Sequence, residues 1–365
     1  MMAAKTMADG PTPYSLESGE ITQKKTRGVL QGAASKRATD REYYPEAWYP
    51  VCLSKEIRRG QVRRLEAFDS QIVIFRTESG QVGVVSRYCP HMGTDLTRAA
   101  VVDEQLRCPF HHRAFDSSGR LKEVPGASRM PRNCDLGTMP VTERFGLVFI
   151  FLGEKPSFDF PPFSRVTGEA AYSACETKTM RTPYHALLFN GFDTHHLGCI
   201  HNREVREPPV LFNDNVYHYG AEFTMHVAVE KFYDVLIKWS GADVSPVRLD
   251  CWGGNFVVIT NERTKDNVMI ASYPMNRNLS RVFLVAVTEQ ESGSWLRRML
   301  QRVRLRLTAY LGMAFLKPDE DIIEDMRPDI KKLSAELDQG VIQFWRYWEK
   351  LPRDRSIHHR VLVSD

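Results

Sequence analysis

The chain has 365 residues, 42% of them hydrophobic and 26% charged, with a formal net charge of +4. That is ordinary globular composition, with enough apolar residues for about two domains and two cores. It excludes a small disulfide-stapled scaffold, and so weak a positive balance does not point to a nucleic-acid partner.

Residues 1–41 are polar and carry little periodicity, so residues 1–47 are expected to form a flexible arm. No apolar run follows Lys5, as a signal peptide requires, and Asp9, Glu17 and Glu20 argue against a transit peptide. Ordered structure is expected from Trp48-Tyr49-Pro50-Val51. Residues 71–76 and 81–86 are β-branched, apolar runs around Glu78-Ser79-Gly80, a hairpin signal. Ser117-Ser118-Gly119 marks a second hairpin, and residues 145–152 read as a buried strand. The longest apolar run is of strand length, too short to span a bilayer.

Inside this β-rich region stand Cys89-Pro-His91-Met-Gly93 and, with sixteen residues between His91 and the next ligand, Cys108-Pro-Phe-His111-His112. Two thiolates and two imidazoles make a four-ligand metal site, open to zinc or to an iron–sulfur cluster. A zinc finger pairs Cys with Cys and His with His along the chain. Here each loop supplies one of each, so each loop can reach both metals of a dinuclear cluster. Pro90 and Pro109 stiffen the loops, Gly93 permits a tight turn, and His112 reads as a loop or packing residue. In these residues the sequence resembles the Rieske family. The five other cysteines (Cys52, Cys134, Cys175, Cys199, Cys251) show no secreted framework, and free thiols beside an iron–sulfur site suit a reducing cytoplasm.

Pro156, Pro161 and Pro162 mark a linker. Residues 184–202 have helical character, and strands are expected at 216–228, 256–260, 268–273 and 281–288. After Ser292 the period changes. Leu296, Met299, Leu300, Val303, Leu307, Tyr310 and Leu311 describe a long amphipathic helix, which also carries five arginines. That basic face is read as solvated, with membrane-surface contact the less favoured alternative. Sheet followed by helix gives an α+β fold.

The second informative stretch is Asn190-Gly-Phe-Asp193-Thr-His195-His196, ending at His201. Two imidazoles and a carboxylate bind ferrous iron as a facial triad with positions left open for dioxygen. Here the chain resembles the terminal oxygenase component of Rieske non-haem iron oxygenases, whose Asn-x2–3-Asp-x2-His-x4-His pattern maps onto Asn190, Asp193, His196 and His201. The resemblance covers residues 48–348. It implies a helix-grip (START-like) catalytic domain and a third ligand at the start of a helix after the sheet. Asp321 is the choice there, with Asp319, Glu324 and Asp325 as alternatives. Asp193, one helical turn before His196, is expected to link the two metal sites through His91 or His111 of the next subunit.

The expected organisation is a Rieske [2Fe–2S] domain at 48–155, a catalytic domain at 156–350 and a C-terminal tail at 351–365. The resemblance implies a [2Fe–2S] Rieske cluster on Cys89, His91, Cys108 and His111 and a mononuclear Fe(II) on His196, His201 and Asp321. It also implies a ferredoxin or flavin reductase as electron donor, O2 as co-substrate, and a homotrimer. No Gly-rich dinucleotide fingerprint follows a strand. Monooxygenase-type members such as aminopyrrolnitrin oxygenase and vanillate demethylase look most similar, so the expected reaction is monooxygenation of an aromatic or other apolar small molecule. The alternatives are a dihydroxylating dioxygenase, a desaturase, a Rieske electron carrier, and a helix-grip binding protein with structural zinc.

Overall fold

A computed structural model describes residues 43–163, 166–176, 179–227, 244–261 and 266–362. The expected arm at 1–42 lies outside them. From Tyr43 onward the chain is one compact unit.

Among the described residues, ten strands come first. They are β1 (Trp48–Leu53), β2 (Val62–Ala67), β3 (Ser70–Arg76), β4 (Val82–Ser86), β5 (Ala100–Val102), β6 (Gln105–Arg107), β7 (Ala114–Phe115), β8 (Leu121–Glu123), β9 (Val141–Arg144) and β10 (Leu147–Phe151). They form three small antiparallel sheets, ordered β1-β10-β9, β2-β3-β4 and β5-β6-β7-β8. Strand β3 explains why this region reads as solidly apolar. Successive strand side chains point to opposite faces. Ile72 and Ile74 face a core shared with β1 and β10, while Val73 and Phe75 face a second core that contains Cys89 and Cys108.

The second half holds β11 (Ala170–Glu176), helices α1 (Ala186–Asn190) and α2 (Thr194–His201), and strands β12 (Arg203–Val205), β13 (Val210–Phe212), β14 (His218–Val227), β15 (Val244–Trp252), β16 (Phe256–Asn261), β17 (Asn267–Asn276) and β18 (Leu279–Glu289). Helices α3 (Trp295–Ile323), α4 (Gln339–Lys350) and α5 (Arg355–Arg360) close the chain. The strands make one eight-stranded antiparallel sheet, β11-β18-β17-β16-β15-β14-β12, with β13 also on β14.

This sheet is buried on both faces, again by alternation. Phe283, Val285 and Val287 of β18 join the core of β1 and β10, whereas Val282, Leu284 and Ala286 join the core under α3. The sheet therefore separates the metal-loop half from the long helix. Helix α3 comes so close to β18 at Gly312 that a Cβ there would sit 2.9 Å from Leu284 Cδ1, so a larger residue would have to displace the Leu284 side chain. Its start is tied to the end of β18 by Gln301, whose Nε2 donates to the Glu289 carbonyl at 2.7 Å.

The expected boundary near residue 155 is thus a change of topology and not a gap between cores. Phe149 of β10 packs edge-on to Phe256 of β16, and the buried Asn255 amide donates to the Trp48 carbonyl. Two further expectations need correction. Residues 43–47 are not flexible arm, since Tyr44 and Ala47 are buried. Residues 351–362 are not a tail, because Leu351, Ile357, Val361 and Leu362 are core residues and α5 is docked on the metal-loop half at Gly137. Their apolar side chains outweigh the polar residues around them, which made the segment look unstructured in sequence.

Candidate metal centres and pocket

The first centre is built from two matching loops. One joins β4 to β5 and the other joins β6 to β7. In each, the Cys carbonyl accepts a hydrogen bond from the N–H four residues on, Gly93 to Cys89 at 2.9 Å and His112 to Cys108 at 3.1 Å. In each, that fourth residue has positive φ, +68° at Gly93 and +54° at His112. His112 therefore occupies the place of the first loop's glycine. Arg87 clamps the first loop onto Asp95 at 2.9 Å. Burial opposes ionisation of the Asp95 carboxyl, but the Arg87 guanidinium and the Thr97 N–H bring it down to about 2.

Cys89 and Cys108 are buried side by side, and burial followed by the Cys108 neighbour pushes the Cys89 thiol up. Two thiolates so placed require a cation to stabilise them. His91 and His111 lie outside them, exposed, with ring centroids 4.7 Å apart. The thiols are thus paired inside and the imidazoles paired outside. This donor set fits a cluster with two sulfurs on one iron and two nitrogens on the other.

The second centre lies on the far side of the large sheet. Among the described residues, His196, His201 and Asp319 present ligand atoms that all lie within 4.8 Å of one another. His201 Nε2 is 3.0 Å and 3.1 Å from the two Asp319 oxygens, and His196 Nε2 is 3.8 Å from Oδ1. Helix α2 supplies both histidines and α3 the carboxylate. His196 Nδ1 lies 2.6 Å from the Asp193 carbonyl, so Nδ1 carries the proton and Nε2 keeps its lone pair for a metal. Burial lowers the His196 pKa, which keeps the ring neutral, the form that ligates. Phe315 stacks on His201 at 3.9 Å and fixes its plane. The Asn190 amide lies 3.1 Å from His196 Nε2, beside the position a metal would take.

Two expectations are corrected by this geometry. Asp321 does not face the histidines. It is exposed and holds Lys317 at 2.9 Å, while Asp319, 4% exposed, is the carboxylate that meets them. Nor does the acidic segment start a helix. Helix α3 continues through Pro318 to Ile323. Residues 319 and 321 are about 200° apart around such a helix, so only one of them can point inward. Asp193 is likewise not on a helix face with His196. It is the N-cap of α2, and its Oδ1 accepts from the His195 and His196 N–H groups.

Beside the second centre lies a cavity of about 420 Å³. Its walls are mainly apolar, with Leu249, Ile259, Val268 and Ile270 from the sheet and Phe315 and Leu316 from α3; His196 and Asp319 stand at one end. Asn261, Asp266 and Thr308 add polar groups to its lining away from the histidines. Phe189, Phe192 and Val257 pack in the adjoining core, Phe192 against Tyr219 and Phe344. The α3 residues on the cavity wall run from Thr308 to Asp319, eleven residues or roughly 16 Å at 1.5 Å per residue. Arg304, one turn earlier on α3, pairs with Asp266 at 3.3 Å. A larger cleft of about 660 Å³, lined by Phe145, Phe160 and Tyr172, lies away from both centres.

Two paired thiols and two paired imidazoles stand in one half, and a two-histidine, one-carboxylate group stands at an apolar cavity in the other. The Rieske [2Fe-2S] domain model matches residues 47–140. The chain is 26% identical over 190 residues to a cholesterol 7-desaturase of Ciona intestinalis, covering 51% of this chain and 40% of that protein. It is 33% identical over 108 residues to the oxygenase component of 3-ketosteroid-9-alpha-monooxygenase of Mycobacterium tuberculosis, covering 30% of this chain and 28% of that one. The chain thus spans less than half the length of these curated relatives. Dicamba monooxygenase bound to 3,6-dichlorosalicylic acid has the same fold, with a TM-score of 0.63 at 18% identity over 84% of this chain and 97% of that one. So does NdmA of Pseudomonas putida CBB5, with a TM-score of 0.61 at 18% identity over 85% and 90%. Residues 47–140 thus match a Rieske [2Fe-2S] domain, and the chain shares the fold of dicamba monooxygenase and NdmA.

Proposed function

We propose that the chain is a terminal oxygenase that monooxygenates an elongated apolar small molecule, using electrons from a separate ferredoxin or flavin reductase. The observation that carries this reading is the meeting of His196, His201 and Asp319 at one end of an apolar cavity, in a chain with a Rieske domain. Bound on these three side chains, Fe(II) would supply dioxygen activation, fed by a cluster held on Cys89, Cys108, His91 and His111. The residues do the rest. The Asp193 carbonyl orients His196, Phe315 holds His201 flat, and Ile259, Val268 and Ile270 exclude water and place the substrate against the metal end.

A homotrimer suits the exposure of His91 and His111 on the loop tips. Asp193 Oδ1 caps α2, and its other oxygen would accept from a cluster histidine of a neighbouring copy. Desaturation is the second reading, favoured by the cholesterol 7-desaturase relative. A wall of roughly 16 Å along α3 suits a fused-ring or similarly long substrate better than a single substituted ring.

The test is oxygen uptake by the iron-loaded protein with a surrogate reductase across arylamines, methoxyarenes, 3-ketosteroids and sterols. Reductase-dependent uptake with a long apolar compound, and a product heavier by one oxygen atom, is expected. A product lighter by two hydrogens would assign desaturation instead. Val268→Phe, which fills the cavity without touching the metal end, should lower kcat/KM for the accepted compound by roughly tenfold or more at unchanged iron content. Equal rates in that variant would remove the cavity as the substrate site.

A further inference from the structure

Helix α3 is apolar on two opposite faces. Gln301, Leu305, Ala309 and Leu316 point into the protein. Leu296, Leu300, Val303, Leu307 and Leu311 form a stripe about 180° away, and every one of them is exposed. Trp295 (74% exposed) and Tyr310 (71%) edge this stripe. Arg297 and Arg304 run along one side of it, and Arg302 and Arg306 along the other. Residues 292–318 contain no Asp or Glu. Isolated exposed leucines need no explanation, but a continuous stripe of this length does.

We infer that the outer face of α3 lies in the surface of an anionic lipid bilayer, with the stripe sunk at the acyl boundary and the arginines on the headgroups. Interfacial helices have this arrangement of an apolar face, flanking Arg or Lys, and Trp or Tyr at the boundary. The rival occupant is a second copy of the chain, since the 296, 300, 303, 307, 310 spacing is also that of a coiled-coil seam. Charge decides against it. Arg304 already pairs with Asp266, but pairing two copies would set Arg297, Arg302 and Arg306 against arginines with no acid in the segment to answer them, whereas lipid phosphates would answer them. Among the described residues no helix is long and apolar enough to cross a membrane, so α3 would lie on the surface and not span it. The same helix forms a cavity wall through Thr308, Gly312 and Phe315, so a lipid-soluble molecule would reach the cavity from the bilayer side. The lipid contact itself does not depend on the oxygenase reading.

The experiment is co-sedimentation of the purified, cluster-loaded chain with vesicles of phosphatidylcholine alone or mixed with phosphatidylglycerol. Binding to the anionic vesicles at least about tenfold tighter than to the neutral ones is expected, weakening at high salt. L300E/L307E should lose it. R302Q/R306Q should weaken it roughly tenfold or more. All four positions are exposed or half-exposed, and retained cluster absorption and melting temperature will show that the fold persists. A wild-type chain that stays in the supernatant with both vesicles overturns the inference. So does an L300E/L307E variant that sediments normally, or one whose only change is a smaller particle mass in solution, which would assign the face to a second copy.

Discussion

Asp319→Ala is expected to empty the mononuclear site while leaving the cluster's visible absorption intact. Asp319 is buried, places both oxygens about 3 Å from His201 Nε2, and is the carboxylate shared by the two histidines. Removing it leaves two imidazoles from one short helix, too few to hold the ion. Loss of partners that merely orient a ligand already costs 10–100-fold in metal affinity, so loss of the ligand itself should exceed about 100-fold and bring turnover to background. Asp321→Ala should behave differently. Its partner Lys317 is exposed, such pairs contribute at most about 1 kcal/mol, and activity should stay within about twofold of wild type. Metal analysis and turnover on the two variants check this, and the reverse pattern would return the ligand role to Asp321.

Cys108→Ala should abolish the iron–sulfur colour and destabilise the metal-loop half. Cys108 is buried with Leu106, Phe115 and Cys89, so the substitution opens a small cavity and also removes a ligand that ties two loops together. Metal binding by such loops is part of their folding free energy, so several kcal/mol of local stability should go with the cluster. Cys251→Ala makes the control, since that thiol is buried in the core under α3 and should leave the colour unchanged. Loss of visible absorption in both variants, or in neither, would contradict the assignment.

The cluster loops were legible because everything they need is local. Cys, Pro, His and a residue able to take positive φ stand within five positions, twice. Asn190, His196 and His201 were legible for the same reason. The third carboxylate was not, because it depends on the phase of a helix 29 residues long. Leu305, Ala309, Gly312, Leu316, Asp319 and Ile323 recur at spacings of four, three, four, three and four, a row that includes Asp319 and leaves Asp321 outside. That signal is present in the sequence, but Pro318 reads as a helix break that cuts the row before Asp319. A proline inside a helix costs about 3 kcal/mol by propensity, which the burial of Leu316 and Ile323 on either side helps to offset. The joining of the two halves was hidden for another reason. Phe149, Phe256 and Phe283 look like ordinary core residues, and nothing in their local pattern says that they share one core.

Helix α3 therefore has two roles. Its inner face carries Asp319 and closes the cavity, and its outer face is the lipid contact inferred above.

The account stands on two different metal centres in one chain, and combined iron, zinc and acid-labile sulfide analysis of anaerobically purified protein tests that most directly. About three irons and about two sulfides per chain, with no zinc, is the predicted result. Zinc in place of iron with no sulfide, or two irons that remain two when Asp319 is replaced by alanine, would contradict it.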